Sequence, residues 1–277
     1  MRVGISLPVR ELGDDLGAIR EFALLAEALG YTHLRVPDQV IRPNSGHLHE
    51  PMTLLAWLAG VTESIELCPS VIVLPARQTA LFAKQAAEVD HLCGGRLRLG
   101  IGVGTSADEF NALGADFHTR GRKCTEQMRL LSRLWTEDEV TFDGEFHSID
   151  KLGINPLPLQ RPIPMWIGGS SDPVPAVRRR IAECSDGWFA LCSPEAFRAI
   201  QEDILTLADA FGRRDNISAE SGVGVPGRTR EEWTGLVRER AASGVTHLCM
   251  RTLGGQLDAA GHLDLAREIY QTLAEML

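Results

Sequence analysis

Two glycine-marked segments carry residue types suited to a flat, phosphorylated ligand. Gly168-Gly169-Ser170-Ser171, directly after Ile167, runs into a helix expected to begin near Pro173. Backbone N–H groups near a helix N-terminus, with two hydroxyls, can cradle a phosphate; the same run can also make a plain tight turn. Gly102-Val103-Gly104-Thr105 ends an apolar run. Its glycines remove side chains that would block a planar ring, or simply fit a packed layer of a barrel. Asp38 follows Val36-Pro37, where a carboxylate serves a site or caps a loop. Gln39 beside it can hydrogen-bond but cannot titrate. Arg251, at the end of a late apolar run, can hold an anionic substrate or pair with an acid. Trp188 can wall a pocket or fill a core. His47 and His49 lie in the loop Asn44-Ser45-Gly46-His47-Leu48-His49, close in sequence to Asp38.

Other chemistries find no support. The eight histidines form no H-x-x-x-H or H-E-x-x-H pair, so no metal site is expected. No G-x-S-x-G elbow is present. Gly100-x-Gly102-x-Gly104 lacks the G-x-G-x-x-G spacing of a dinucleotide fingerprint. The six cysteines form no C-x-x-C pair and read as small buried residues in a reducing compartment. A net charge of -9 argues against a nucleic-acid surface. No apolar run approaches the ~18 residues of a membrane span, and the apolar part of the N-terminus is too short for a signal peptide. These features suit a cytoplasmic protein with a small-molecule ligand.

The elements that must position these residues alternate along the 277-residue chain. Strands are expected over 2–7, 32–36, 65–73, 97–102, 164–168, 187–191, 220–225 and 246–250. Helices are expected over 14–30, 51–62, 78–93, 120–136, 173–184, 194–212, 229–243 and 262–276. Phe22, Leu25, Ala26 and Leu29 recur at helical spacing, and Gly30 closes that helix. Thr229, followed by Glu231 and Glu232, opens another. Strands each followed by a helix predict a (β/α)8 TIM barrel of the α/β class, as one domain over residues 1–277. Its chemistry is then expected at the C-terminal strand ends, where Asp38, Thr105, Ser170 and Arg251 fall. Asp143-Gly144, between Val140-Thr141-Phe142 and Glu145-Phe146-His147, signals a hairpin. It is read as an insertion between the fourth helix and the fifth strand.

Several motifs together give the chain a closer likeness. They are Gly4-Ile5-Ser6-Leu7-Pro8, Ala23-x-x-Ala26-Glu27-x-x-Gly30-Tyr31 and Val36-Pro37-Asp38, then the block from 70 to 105. Phe110-x-Ala112-Leu113-Gly114, Pro164-Met165-Trp166-Ile167-Gly168-Gly169 and Ala182-x-x-x-Asp186-Gly187-Trp188 complete the set. The chain resembles the luciferase-like monooxygenase superfamily, in particular the branch that uses coenzyme F420, an 8-hydroxy-5-deazaflavin. The resemblance implies a cofactor across the top of the barrel and a non-proline cis peptide at Ser70–Val71 behind its ring. It places Gly104 and Thr105 on the ring or side chain of the cofactor, and Gly168, Gly169 and Ser170 on its phosphate. It also implies a homodimer. Many deazaflavin relatives carry Asp-His where this chain has Asp38-Gln39, so a mechanism using that histidine as an acid or base does not transfer. The leading expectation is an oxidoreductase passing a hydride between coenzyme F420 and a small organic substrate. Asp38 and Gln39 would line the reacting centre, with His47, His49, Trp188 and Arg251 nearest the substrate. The alternatives are an FMN-dependent monooxygenase or reductase on the same barrel, and a non-catalytic barrel that binds a flavin-like ligand.

Overall fold

The computed structural model describes residues 1–41, 48–168 and 170–276. The chain opens with β1 (Arg2–Ser6), α1 (Val9–Leu12), α2 (Leu16–Leu29), β2 (His33–Val36) and α3 (Pro51–Ala59). It continues with β3 (Glu66–Pro69), β4 (Ile72–Val73), α4 (Thr79–Leu92), β5 (Leu99–Gly102), α5 (Ala107–Ala112) and α6 (Arg120–Leu134). A hairpin follows, β6 (Val140–Asp143) and β7 (Ser148–Leu152), then β8 (Met165–Gly168), α7 (Pro175–Cys184), β9 (Gly187–Ala190) and α8 (Pro194–Asp209). The last elements are β10 (Ser218–Gly224), α9 (Arg230–Ser243), β11 (His247–Arg251) and α10 (Ala259–Ala274).

The local chemistry explains the helix ends. Asp15 caps α2 by accepting the Ala18 N–H at 2.9 Å. Gly30 ends that helix in the left-handed region with φ 97°, where glycine carries no Cβ penalty. Thr229 and Glu232 form a capping box on α9. Ser193 caps α8, with Pro194 in its first turn. Short helices α1 and α5 were not anticipated; each is under two turns and too brief to show periodicity.

The barrel strands are all parallel, in the order β3-β2-β1-β11-β10-β9-β8-β5-β4. The two ends of that order belong to one stretch of chain. The expected third strand is broken at Ser70–Val71, whose peptide is cis. Its first half, β3, pairs with β2; its second half, β4, pairs with β5. A bridge between Leu67 and Leu97 adds to the closure. The barrel is therefore an eight-stranded (β/α) architecture in which one strand changes neighbours halfway up. Burying both faces of a parallel sheet explains the short apolar strands.

The β6–β7 hairpin lies between α6 and β8, at the expected insertion. Glu126 of α6 holds its turn, accepting the N–H groups of Glu145 at 2.7 Å and Phe146 at 2.9 Å. Its Oε1 lies 2.7 Å from His147 Nδ1, and His147 Nε2 lies 2.6 Å from Thr79 Oγ1 at the start of α4. A Cβ at Gly144 would meet Glu126 Oε1 at 2.6 Å, so the Asp-Gly turn needs its glycine for this packing. Burial opposes the charge, but His147 and the two N–H donors hold the Glu126 carboxyl below its ordinary value of 4.5. A depressed carboxylate stabilises above its unfolded pKa and loses that contribution as pH falls through the folded value. Glu126→Ala should therefore cost about 1–3 kcal/mol and raise hydrogen exchange at residues 143–147. The parent hairpin should loosen in the same way in acid. Unchanged protection in the variant would show that the carboxylate does not hold the turn.

Candidate active site

The C-terminal ends of the strands enclose a cavity of about 570 Å³. Its floor is built around Val71. A Cβ at Gly102 would lie 2.5 Å from one Val71 methyl, and a Cβ at Gly168 would lie 2.6 Å from the other. Both positions must be glycine for Val71 to stand between β5 and β8. Gly104, at φ 71°, is closed in by Val73 and by the Phe110 ring of α5. Ile101, Ile167 and Phe189 add apolar surface. The result is a flat, mostly apolar base with no side chain rising from its glycines.

The polar groups around that base are mostly committed. Asp38 does not project freely into the cavity. Its carboxylate accepts the Val73 N–H at 3.0 Å and two bonds from Arg77 Nη2 at 3.0 Å each. Burial pushes its carboxyl above the ordinary range, opposed by Arg77 and the Val73 N–H. Asp38 thus fastens β4 through the Val73 N–H while lining the cavity. Glu109 of α5 accepts the N–H groups of Val40 and Ile41, fixing the start of the loop after β2. Gln39 lines the cavity, and its Oε1 is buried with no partner among the described residues. Cys124 also lines it, but burial pushes its thiol up to about 11, so it offers no thiolate.

At one side, Arg120 and Arg180 bring positive charge that no acid among the described residues neutralises. Arg120 donates to the Phe117 carbonyl at 2.7 Å and lies 3.7 Å from that residue's ring centroid. Arg180 donates to Thr125 Oγ1 and to the Gly121 carbonyl, each at 2.7 Å. Ser170 lines the same cavity, with its hydroxyl donating to the Asp172 carbonyl. A phosphate-bearing ligand therefore has two guanidiniums available that glycine spacing did not reveal.

Below the floor the barrel interior is charged. Glu220 of β10 accepts from Arg35 Nη1 at 2.8 Å and from both Nη atoms of Arg98 at 3.1 Å. His33 Nε2 lies 3.1 Å from it. Arg98 continues to Glu66 at 2.5 Å, and Glu66 to Arg2 at 3.1 Å. Arg35 lies over the Phe189 ring at 4.5 Å and Arg98 over Trp166 at 4.2 Å. Burial alone would raise the Glu220 carboxyl, but His33, Arg35 and Arg98 hold it well below the ordinary range. Burial, with Arg98 and His33 nearby, lowers His247 to about 3. Arg35 also donates to the Ser70 hydroxyl, so this network reaches the cavity floor. It was missed in the sequence, though a signal existed: Arg35, Glu66, Arg98 and Glu220 are charged residues at positions expected to be buried strand.

The expected site residues divide accordingly. Asp38, Gln39, Ser70, Val71, Gly102, Gly104, Thr105, Ile167, Gly168 and Ser170 all line the one cavity. Gly169 and His47 lie outside the described residues. His49 does not line the cavity; its Nε2 lies 3.1 Å from the Gly13 carbonyl oxygen. Trp188 does not wall the cavity. It is fully buried, stacks on Phe197 and donates to Gln201, both on α8. Strand residues alternate faces, so its neighbour Phe189 is the one that reaches the mouth. Arg251 opens onto an adjoining chamber. The only cluster with metal-ligand types among the described residues, His33, Glu220 and Cys249, surrounds a carboxylate already held by two guanidiniums.

A parallel barrel with a glycine-floored cavity at its C-terminal mouth defines an α/β-barrel class with a small-molecule-sized site. The family model for luciferase-like monooxygenases matches residues 1–275, and the chain belongs to that family. It is 31% identical over 234 residues to an FMNH2-dependent dimethylsulfone monooxygenase of Pseudomonas putida, covering 81% of this chain and 62% of that one. It is 31% identical over 178 residues to an F420-dependent glucose-6-phosphate dehydrogenase of Kineococcus radiotolerans, covering 62% and 51%. The matches span less than two thirds of the length of these curated relatives. The solved structure of an F420-dependent secondary alcohol dehydrogenase shares the fold, with a TM-score of 0.83 at 14% identity over 98% of each chain. The family contains both F420- and FMN-dependent oxidoreductases. No helix among the described residues is long and apolar enough to cross a membrane.

Glu220→Gln should destabilise the protein by about 3–5 kcal/mol, because it removes the charge that separates two buried guanidiniums. Urea unfolding measures this. A loss under ~1 kcal/mol would mean that the arginines find other partners. Since the folded carboxyl is depressed, the parent's stability should fall as pH drops below the ordinary carboxylate value of 4.5.

Proposed function

We propose that the protein is an oxidoreductase that uses coenzyme F420 to exchange a hydride with a small organic substrate. The observation that carries this reading is the floor around Val71. It is flat and apolar, cleared of side chains by three glycines, and bears no unpaired acid or base among the described residues. Transfer of a hydride between two carbons needs close, oriented contact and exclusion of water more than a titrating side chain. Gln39 cannot titrate, and Asp38 is tied to Arg77.

The residues present fit such a cofactor. The cavity is large enough for a tricyclic ring, Gln39 Oε1 offers a buried acceptor for a ring N–H, and Arg120, Arg180 and Ser170 suit a phosphate. When bound, the deazaflavin supplies a carbon, C5, that carries or accepts the hydride. Val71 would support the ring, while the chain holds the Ser70 hydroxyl through Arg35 and fixes β4 through Asp38. Phe189 and Ile101 keep the base dry.

FMN is the second reading. The longer match, 81% of this chain, is to the FMNH2-dependent monooxygenase. Fluorescence titration of the purified protein with F420 and with FMN separates the two. Saturable micromolar F420 binding with FMN ignored is expected. Arg120→Gln should weaken F420 binding by about tenfold, the usual cost of one charge-assisted hydrogen bond. Preference for FMN would overturn the deazaflavin reading and redirect it to oxygen chemistry.

A further inference from the structure

Beyond Arg35, Pro37 and Ser70 the cavity adjoins a second chamber of about 610 Å³. Ser6, Gly224 and Arg251, at the C-terminal ends of β1, β10 and β11, line it. Four guanidiniums reach it: Arg10, Arg35, Arg228 and Arg251. Arg35 is committed to Glu220 and Ser70. None of the other three forms a salt bridge among the described residues; Arg228 donates to the Gly224 carbonyl at 2.9 Å and acts on Glu232 of α9 only through its charge. The one acid in the chamber, Glu11, is also committed. It accepts the Gly254 N–H at 2.9 Å and the Gln256 N–H at 3.3 Å, and its Oε2 lies 3.0 Å from His262 Nε2.

Two of the guanidiniums converge. A Cβ at Gly224 would lie 3.7 Å from Arg228 Nη1 and 3.8 Å from Arg251 Nη2. Both side chains therefore lie over one bare strand end. Like charges held this close repel, and the repulsion is relieved when an anion sits between them. A chain with net charge -9 nonetheless keeps this chamber in excess of arginine.

We propose that this chamber is the substrate site and that the substrate carries an oxyanion gripped by Arg228 and Arg251, with Arg10 beside them. The inference rests on reading the neighbouring cavity as the cofactor site, because Ser70 and Pro37 line both and place the two ligands side by side. Planar guanidiniums match the geometry of carboxylate and phosphate alike.

The test is calorimetric titration of inorganic phosphate, and separately of acetate, into the cofactor-loaded protein at ionic strength held constant with chloride. One saturable site is expected, weakened about tenfold or more by Arg228→Gln and by Arg251→Gln. Cofactor affinity should stay within about twofold, since neither residue lines the cofactor cavity. Tighter phosphate binding would assign a tetrahedral oxyanion, and tighter acetate binding a carboxylate; either supports the proposal. Absence of saturable binding by both anions, or binding indifferent to both substitutions, overturns it. Should neither F420 nor FMN bind, the cofactor reading fails by itself. The same titration of the bare protein then still decides the anion site through its dependence on Arg228 and Arg251.

Discussion

A single buried carboxylate organises the inside of this barrel. Glu220 of β10 meets the side chains of β2 and of Arg98, the residue just before β5, and it is held by Arg35, Arg98 and His33. Taking that charge out of water costs several kcal/mol unless strong partners replace the solvent. Here two guanidiniums do so, and each also rests on an aromatic ring. Removal of any member strands the others. The arrangement specifies how β2, β5 and β10 sit around the axis more tightly than interchangeable apolar side chains would.

The same network reaches the site through Arg35, which links Glu220 to the Ser70 hydroxyl. Above it, Asp38 and Arg77 fasten β4. The chain between these two anchors is where the strand leaves β2 and joins β5, and Val71 projects there between Gly102 and Gly168. The cavity floor is thus tied to two ion pairs, Arg35–Glu220 through Ser70 and Asp38–Arg77 through Val73. The Asp38 carboxylate is committed to this support through Val73 and Arg77.

Charge also divides the mouth. Arg120 and Arg180 flank the glycine-floored cavity, Arg228 and Arg251 flank the adjoining chamber, and Arg10 lines both. The acids nearby, Asp38, Glu109 and Glu11, are already bonded to backbone or arginine, or face a histidine. Local potential is set by which charges are left without partners, so an acidic protein can present a positive site.

Much of the fold could be read from order alone. Short apolar runs alternating with amphipathic helices implied the barrel, and Gly30 and Thr229 marked helix ends through φ and capping rules that act within a few residues. The same local logic put Gly102, Gly104 and Gly168 at strand ends, and all three line the cavity. Side-chain partners were beyond it. Nothing near Asp38 in sequence announces Arg77, and nothing near Glu220 announces Arg35 or Arg98, which lie 185 and 122 residues away. Trp188 and Phe189 are adjacent, so composition could not say which one faces the mouth; the pleat and its register decided that. Residue type and short-range spacing set the elements because helices and turns are satisfied locally. The pairing of buried charges, and the excess of arginine at the mouth, arose only when closure of the sheet brought distant strand ends together.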